Sequence, residues 1–130
     1  MNSDLLIYQF EQGIPGFEHV NQFILEEVGN DLPMKLMKAV GGQDISLLIA
    51  SPFLFYPDYE WELSETIKQE LNIENEEEVE IWSIITVPLE LSKATINLLA
   101  PIILNSRTKV GKQHILHDNT YSSRAPLNRT

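Results

Sequence analysis

The sequence predicts a mainly β protein: a single small antiparallel β-barrel-like domain, or a sandwich, with one short helix near residues 64–72. Three observations point there. Short runs of apolar and β-branched residues recur along the chain, most of them bounded by glycine, proline or asparagine. Only one stretch joins helical spacing to a helix start signal. The chain has 130 residues, of which 43% are hydrophobic. That length suits one domain, which buries roughly two thirds of its unfolded surface.

The elements follow in order. Residues 4–10 are rich in strand formers and stop at Gln12 and Gly13. Ile14-Pro15-Gly16-Phe17 reads as a type II turn, because proline pre-sets the second position and glycine takes the positive φ at the third. Residues 21–28 form the next strand. Residues 34–40 and 45–50 flank Gly41-Gly42 as a hairpin. The first of that pair lacks alternation, since lysine and apolar residues share both faces. In residues 64–72, Ser64 can cap the first amides, Glu65 suits the positive end, and Ile67 and Leu71 lie one turn apart. Strands then follow at 79–87, 95–99, 102–105 and 113–117, with a hairpin loop at 108–112 around Gly111. In 79–87 the odd positions are apolar except Ser83, and Trp82 and Ile84 make the other face apolar too. Both faces are therefore expected to be partly covered. The barrel-like domain spans 1–117, and residues 118–130 read as its irregular C-terminal tail.

Composition excludes several functions. The chain has no cysteine, so it has no disulfide, thiol nucleophile or cysteine-ligated metal. Its net charge is −10, which argues against a nucleic-acid binder that neutralises phosphates. The charge is uneven: residues 1–91 hold 18 of the 19 acids but only Lys35, Lys38 and Lys68 as bases. The remaining six bases lie in residues 92–130, so the pattern reads as an acidic body with a basic end. No basic stretch precedes the short apolar run at the N-terminus, and residues 96–104 are interrupted by Asn97 and Pro101. The expected setting is the cytoplasm, with no membrane contact.

Candidate chemistry is sparse. His114 and His117 are three apart, which on a strand puts them on opposite faces and leaves no shared metal. Phosphate-cradling glycine loops and the G-x-S-x-G elbow are absent. Asp58, Glu60 and Glu62 share a strand-like spacing, and would serve a weak hydrolase only if burial split their pKa values. Residues 51–61 hold five of the eleven aromatic residues, Phe53, Phe55, Tyr56, Tyr59 and Trp61. They read either as a corner anchoring the core or as an exposed aromatic surface for a protein.

Four motifs occur together: GIPGF at 13–17, SPFLFYPDYE at 51–60, ATINLLAPIILN at 94–105 and YSSRAPL at 121–127. Taken in this order, they make the chain resemble the flagellar assembly factor family FliW. The resemblance implies a small cytoplasmic β-barrel that is not an enzyme and needs no metal or cofactor. It implies binding of the translational regulator CsrA, which relieves repression of flagellin mRNA, and binding of flagellin in a partner switch. It further implies a strand ahead of the GIPGF turn. Only twelve residues precede Gly13, so an edge there is expected to stay open to another chain.

Two sets of contact residues follow. Tyr121, Arg124, Pro126 and Leu127 are expected to meet CsrA. Phe53, Tyr56 and Tyr59, with Asn97 or Asn105, are expected to meet flagellin. On that reading Tyr59→Ala leaves stability nearly unchanged. The alternative function is a small-ligand-binding barrel or a weak hydrolase using Asp58, Glu60 and Glu62.

Overall fold

The computed structural model describes residues 7–29, 33–41, 44–117 and 120–127. Nine strands form one sheet: β1 Ile7–Gln9, β2 Gln22–Glu27, β3 Met34–Ala39, β4 Ser46–Ala50, β5 Val79–Thr86, β6 Thr95–Ile96, β7 Ile102–Asn105, β8 Val110–Gln113 and β9 Ala125–Pro126. Strands β1 to β4 form an antiparallel meander, β4 continues onto β5, and β7 and β8 return to β1. The ring of seven strands is closed, so the fold is a barrel and not a sandwich. Its seam is the pair β1–β8, which runs parallel while every other pairing is antiparallel.

This seam corrects the expectation of an open N-terminal edge. β1 pairs with β2 on one side, and on the other Gln9 aligns with Val110 and donates its N–H to Lys109 O at 2.8 Å. The start of the strand read at 4–10, residues 4–6, lies outside the described residues.

Alternation sends Phe23 and Leu25 of β2, Met37 of β3, Ile49 of β4, and Ile102 and Leu104 of β7 into the barrel with Tyr8, Phe10 and Ile14. Phe10 and Phe23 meet edge to face at 5.3 Å. Side chains fill the centre, which speaks against a ligand-binding barrel. The missing alternation of β3 has a local cause. Its inward face starts with Lys35, whose ammonium lies 5.6 Å from the Trp82 ring at the edge of the core.

The GIPGF segment forms the expected turn. Gly16 has φ +93°, and the Phe17 N–H bonds Ile14 O at 2.6 Å. Gly13 has φ +66°, and a Cβ there would lie 2.6 Å from the Glu18 Cα. Only glycine fits.

The helix α1 spans Glu65–Glu70, with the Ser64 side chain accepting from Ile67 N. It ends as sequence logic favours: Asn72 takes φ +56°, its N–H bonds Gln69 O, and the Ile73 N–H bonds Lys68 O. Ile67 and Leu71 pack on Ile103 outside the barrel, beside Ile81 and Val79. A second outer cluster joins Ala50, Ile85, Ile96, Leu98, Leu116 and Ala125 to Tyr59. Both faces of β5 are thus covered, as its sequence requires.

Several segments differ from their sequence reading: the hairpin loop expected at 108–112 is mostly strand, because β8 runs Val110–Gln113 with Gly111 paired to Leu104. The strand placed at 113–117 ends at Gln113, so alternation does not separate the two histidines. Their rings lie 6.4 Å apart, edge to face. The strand read at 95–99 is only Thr95–Ile96, because the Asn97 side chain captures the next amides. The irregular tail contains β9, whose Ala125 and Pro126 pair with Ile96 and Thr95. The chain from 120 to 127 is therefore an integral outer layer, and Ala125 is buried in it.

Candidate partner-binding face

The Pro52–Leu54 turn opens the aromatic segment and leads it across the barrel wall. Phe53 stays 44% exposed, with its ring tilted against Tyr59 at 5.7 Å. Tyr59 in turn meets Tyr121 edge to face at 4.7 Å. The Tyr121 hydroxyl accepts from Glu60 N and donates to Glu60 O, each at 3.0 Å. The Tyr56 hydroxyl donates to Pro126 O at 2.6 Å. Leu127, half-buried, donates its N–H to Ala94 O at 3.0 Å. Arg124 and Pro126 are exposed at the rim.

These contacts merge what the sequence divided. By sequence, the aromatic segment and the C-terminal segment are expected to serve different partners. In the fold, Tyr56 meets Pro126, and Phe53 and Tyr121 both pack on Tyr59, so the two segments come together, with Arg124 and Leu127 flanking them along the C-terminal segment.

Tyr59 and the two asparagines lie elsewhere in the design. Tyr59 is only 4% exposed, and its hydroxyl donates to Leu98 O at 2.7 Å. Burial raises its pKa. It is a core residue that carries the face, which reverses the expectation that removing it spares stability. Asn97 is half-buried, and its Oδ1 accepts from the N–H groups of Leu99 and Ala100 at 3.0 and 2.9 Å. Asn105 is fully buried on the far side of the sheet from the barrel interior. Its Nδ2 donates to Leu71 O at 2.8 Å and Asn72 O at 3.2 Å, and its Oδ1 accepts from Arg107 N at 2.9 Å and Thr108 N at 3.2 Å. It clamps the end of α1 to the β7–β8 hairpin and presents nothing to a partner.

The sequence also missed a feature. Residues 79–87 were read as strand, but the strand ends at Thr86 and the loop beyond exposes Val87, Leu89 and Leu91. Leu89 is 106% exposed. Pro88, which cannot donate to a ladder, is the signal that could have located this break. The loop runs directly into Ala94, which holds Leu127.

Electrostatics also departs from an acidic body with a separate basic end. Arg107 Nε lies 2.9 Å from Glu78 and its Nη2 3.5 Å from Glu74, while Lys112 lies 2.7 Å from Glu70. The basic hairpin is folded onto the acidic helix and its flank. Glu78 is held below the usual carboxylate pKa, first by the Glu74 N–H and further by Arg107. Asp58, Glu60 and Glu62 are all exposed, so they lack the burial that paired catalytic carboxylates require. Among the described residues, no group of three or more His, Asp or Glu side chains could hold a metal ion. Among them, too, no helix is long and apolar enough to cross a membrane.

The fold defines the class: a small closed β-barrel with a filled interior, its aromatic segment and C-terminal segment packed on the outer wall. The chain belongs to the FliW family: the family model described as FliW protein matches residues 2–127. It is 37% identical over 121 residues to the flagellar assembly factor FliW of Bacillus subtilis (strain 168), covering 93% of this chain and 85% of that one. The corresponding protein of Thermoanaerobacter pseudethanolicus is 39% identical over 127 residues, covering 97% and 84%. A crystal structure of the flagellar assembly factor FliW superposes with a TM-score of 0.91 at 32% identity, covering all of this chain and 90% of the other.

Proposed function

We propose that this chain acts in flagellar assembly in the cytoplasm by binding two proteins in exchange. One is the translational regulator CsrA, whose sequestration relieves repression of flagellin mRNA. The other is flagellin, which displaces CsrA when it accumulates. Neither step needs catalysis, a cofactor or direct contact with nucleic acid. The observation that carries the reading is the single face formed by Phe53, Tyr56, Tyr121, Arg124, Pro126 and Leu127. Two ligands that use one face exclude each other, which is what a partner switch requires. Aromatic and arginine side chains are the usual anchors of such faces.

The test is affinity capture from a lysate of flagellated bacteria, with the wild-type chain beside a Phe53→Ala/Arg124→Glu variant. The wild type retains CsrA and flagellin, and the variant retains much less of both. Recovery of neither protein by the wild type overturns the reading.

A further inference from the structure

A groove of about 370 Å³ shares Phe53 with the face but does not include Tyr56, Tyr121, Arg124, Pro126 or Leu127. Its apolar wall consists of Phe53, Trp61, Leu63, Val79 and Ile81. The last four are only half-buried and keep apolar surface in water. Trp61, Leu63 and Val79 also line a neighbouring depression of about 720 Å³ that runs along the start of α1. The two together make an elongated site, suited to a chain segment and not to a compact ligand.

Its rim is acidic. Glu60 and Glu76 border the groove, and Glu62, Glu65 and Glu74 border the depression. Among the described residues, Lys68 is the only base on these walls, and it is paired with Glu65 at 3.3 Å. Glu74 is paired with Arg107. Among the described residues, Glu60, Glu62 and Glu76 have no salt-bridge partner. Apolar side chains left in water beside unneutralised carboxylates are complementary to one chemistry: large apolar side chains flanked by lysine or arginine.

We propose that this groove docks a protein segment of that kind, its apolar residues on Trp61, Leu63 and Val79 and its cations against Glu60, Glu62 and Glu76. The inference does not depend on the partner exchange proposed above, and it holds for any protein that presents such a segment. Steering by the rim makes association fall with added salt, while the apolar contact sets how long the segment stays.

Three synthetic peptides of equal length test it: one built from Leu and Lys, one from Ala and Lys, and one from Leu and Glu. The readout is the indole N–H signal of Trp61 in an NMR titration, with Trp82 as the internal comparison. The Leu/Lys peptide shifts Trp61 saturably and leaves Trp82 in place; the other two bind about tenfold or more weakly. The exposed pair Glu62→Lys/Glu76→Lys weakens the Leu/Lys peptide by about tenfold, whereas Glu11→Lys/Glu90→Lys, outside the groove, leaves it unchanged. Unchanged melting temperatures show that both variants fold. Equal binding by the Ala/Lys peptide, equal weakening by both charge reversals, or no movement of Trp61 overturns the proposal. None of these results bears on whether CsrA and flagellin share the neighbouring face.

Discussion

The hydroxyl of Tyr56 donates a 2.6 Å hydrogen bond to the carbonyl of Pro126, tying together segments 70 residues apart in sequence. This bond joins the aromatic corner to the last strand of the sheet, and makes one surface of two. It lies at the periphery, so it orders the face more than it holds the barrel. Tyr56→Phe should cost about 1 kcal/mol or less of global stability. Amide exchange over residues 121–127 should nevertheless accelerate, and affinity for both proposed partners should fall.

Tyr59 and Phe53 touch each other but have opposite roles. Tyr59→Ala removes a buried ring and leaves the Leu98 carbonyl without its donor, which should cost about 3–5 kcal/mol. Phe53→Ala, at an exposed ring, should cost about 1 kcal/mol or less. Urea unfolding of the two variants separates core from face. Equal losses would contradict the assignment.

Asn105 satisfies two carbonyls at the end of α1 and two amides of the β7–β8 turn. Asn105→Leu strips the Arg107 and Thr108 amides of their acceptor, while Asn72 O keeps Arg107 Nη2 at 2.8 Å and Leu71 O keeps Thr108 Oγ1 at 3.5 Å, so the change should cost about 1–3 kcal/mol. Thermal unfolding measures the loss, and faster amide exchange at Leu71 to Ile73 locates it.

Glu78 gives the fold an acid-sensitive contact. Its pKa is lowered in the folded state, first by the Glu74 N–H, so its stabilisation is present above the unfolded carboxylate pKa. That stabilisation is lost as pH falls through the lower folded value. Glu78→Gln should therefore be less stable than wild type at pH 7, and the gap should close as pH drops below about 4. Melting temperatures of both proteins across that range test the sign. A gap that widens in acid would refute it.

Local physics made much of the fold legible. Residues 102–105 read as a strand because their apolar run is short and bounded by proline and asparagine, and β7 spans that range. Ser64, Glu65, Ile67 and Leu71 marked the helix because cap, charge and spacing agree there. The Pro15-Gly16 turn was readable because only glycine suits its third position. Long-range pairing was not readable. The parallel seam between β1 and β8 joins partners about 100 residues apart, and the capture of the tail as β9 joins partners about 30 apart, along a chain whose local pattern names no partner. In the irregular segment 51–61 no period separates inward from outward rings, so Tyr59 and Phe53 look alike in sequence. The basic residues of the hairpin looked separate from the acidic body until folding set Arg107 on Glu78 and Lys112 on Glu70. The exposed loop at 87–91 was signalled only by Pro88.

On the proposed function, one face serves two partners by turns. This is tested most directly by titrating flagellin into the preformed complex of this protein with CsrA and following the masses present by light scattering. Free CsrA should be released as the flagellin complex forms, with no species containing all three proteins. A stable ternary complex would contradict it.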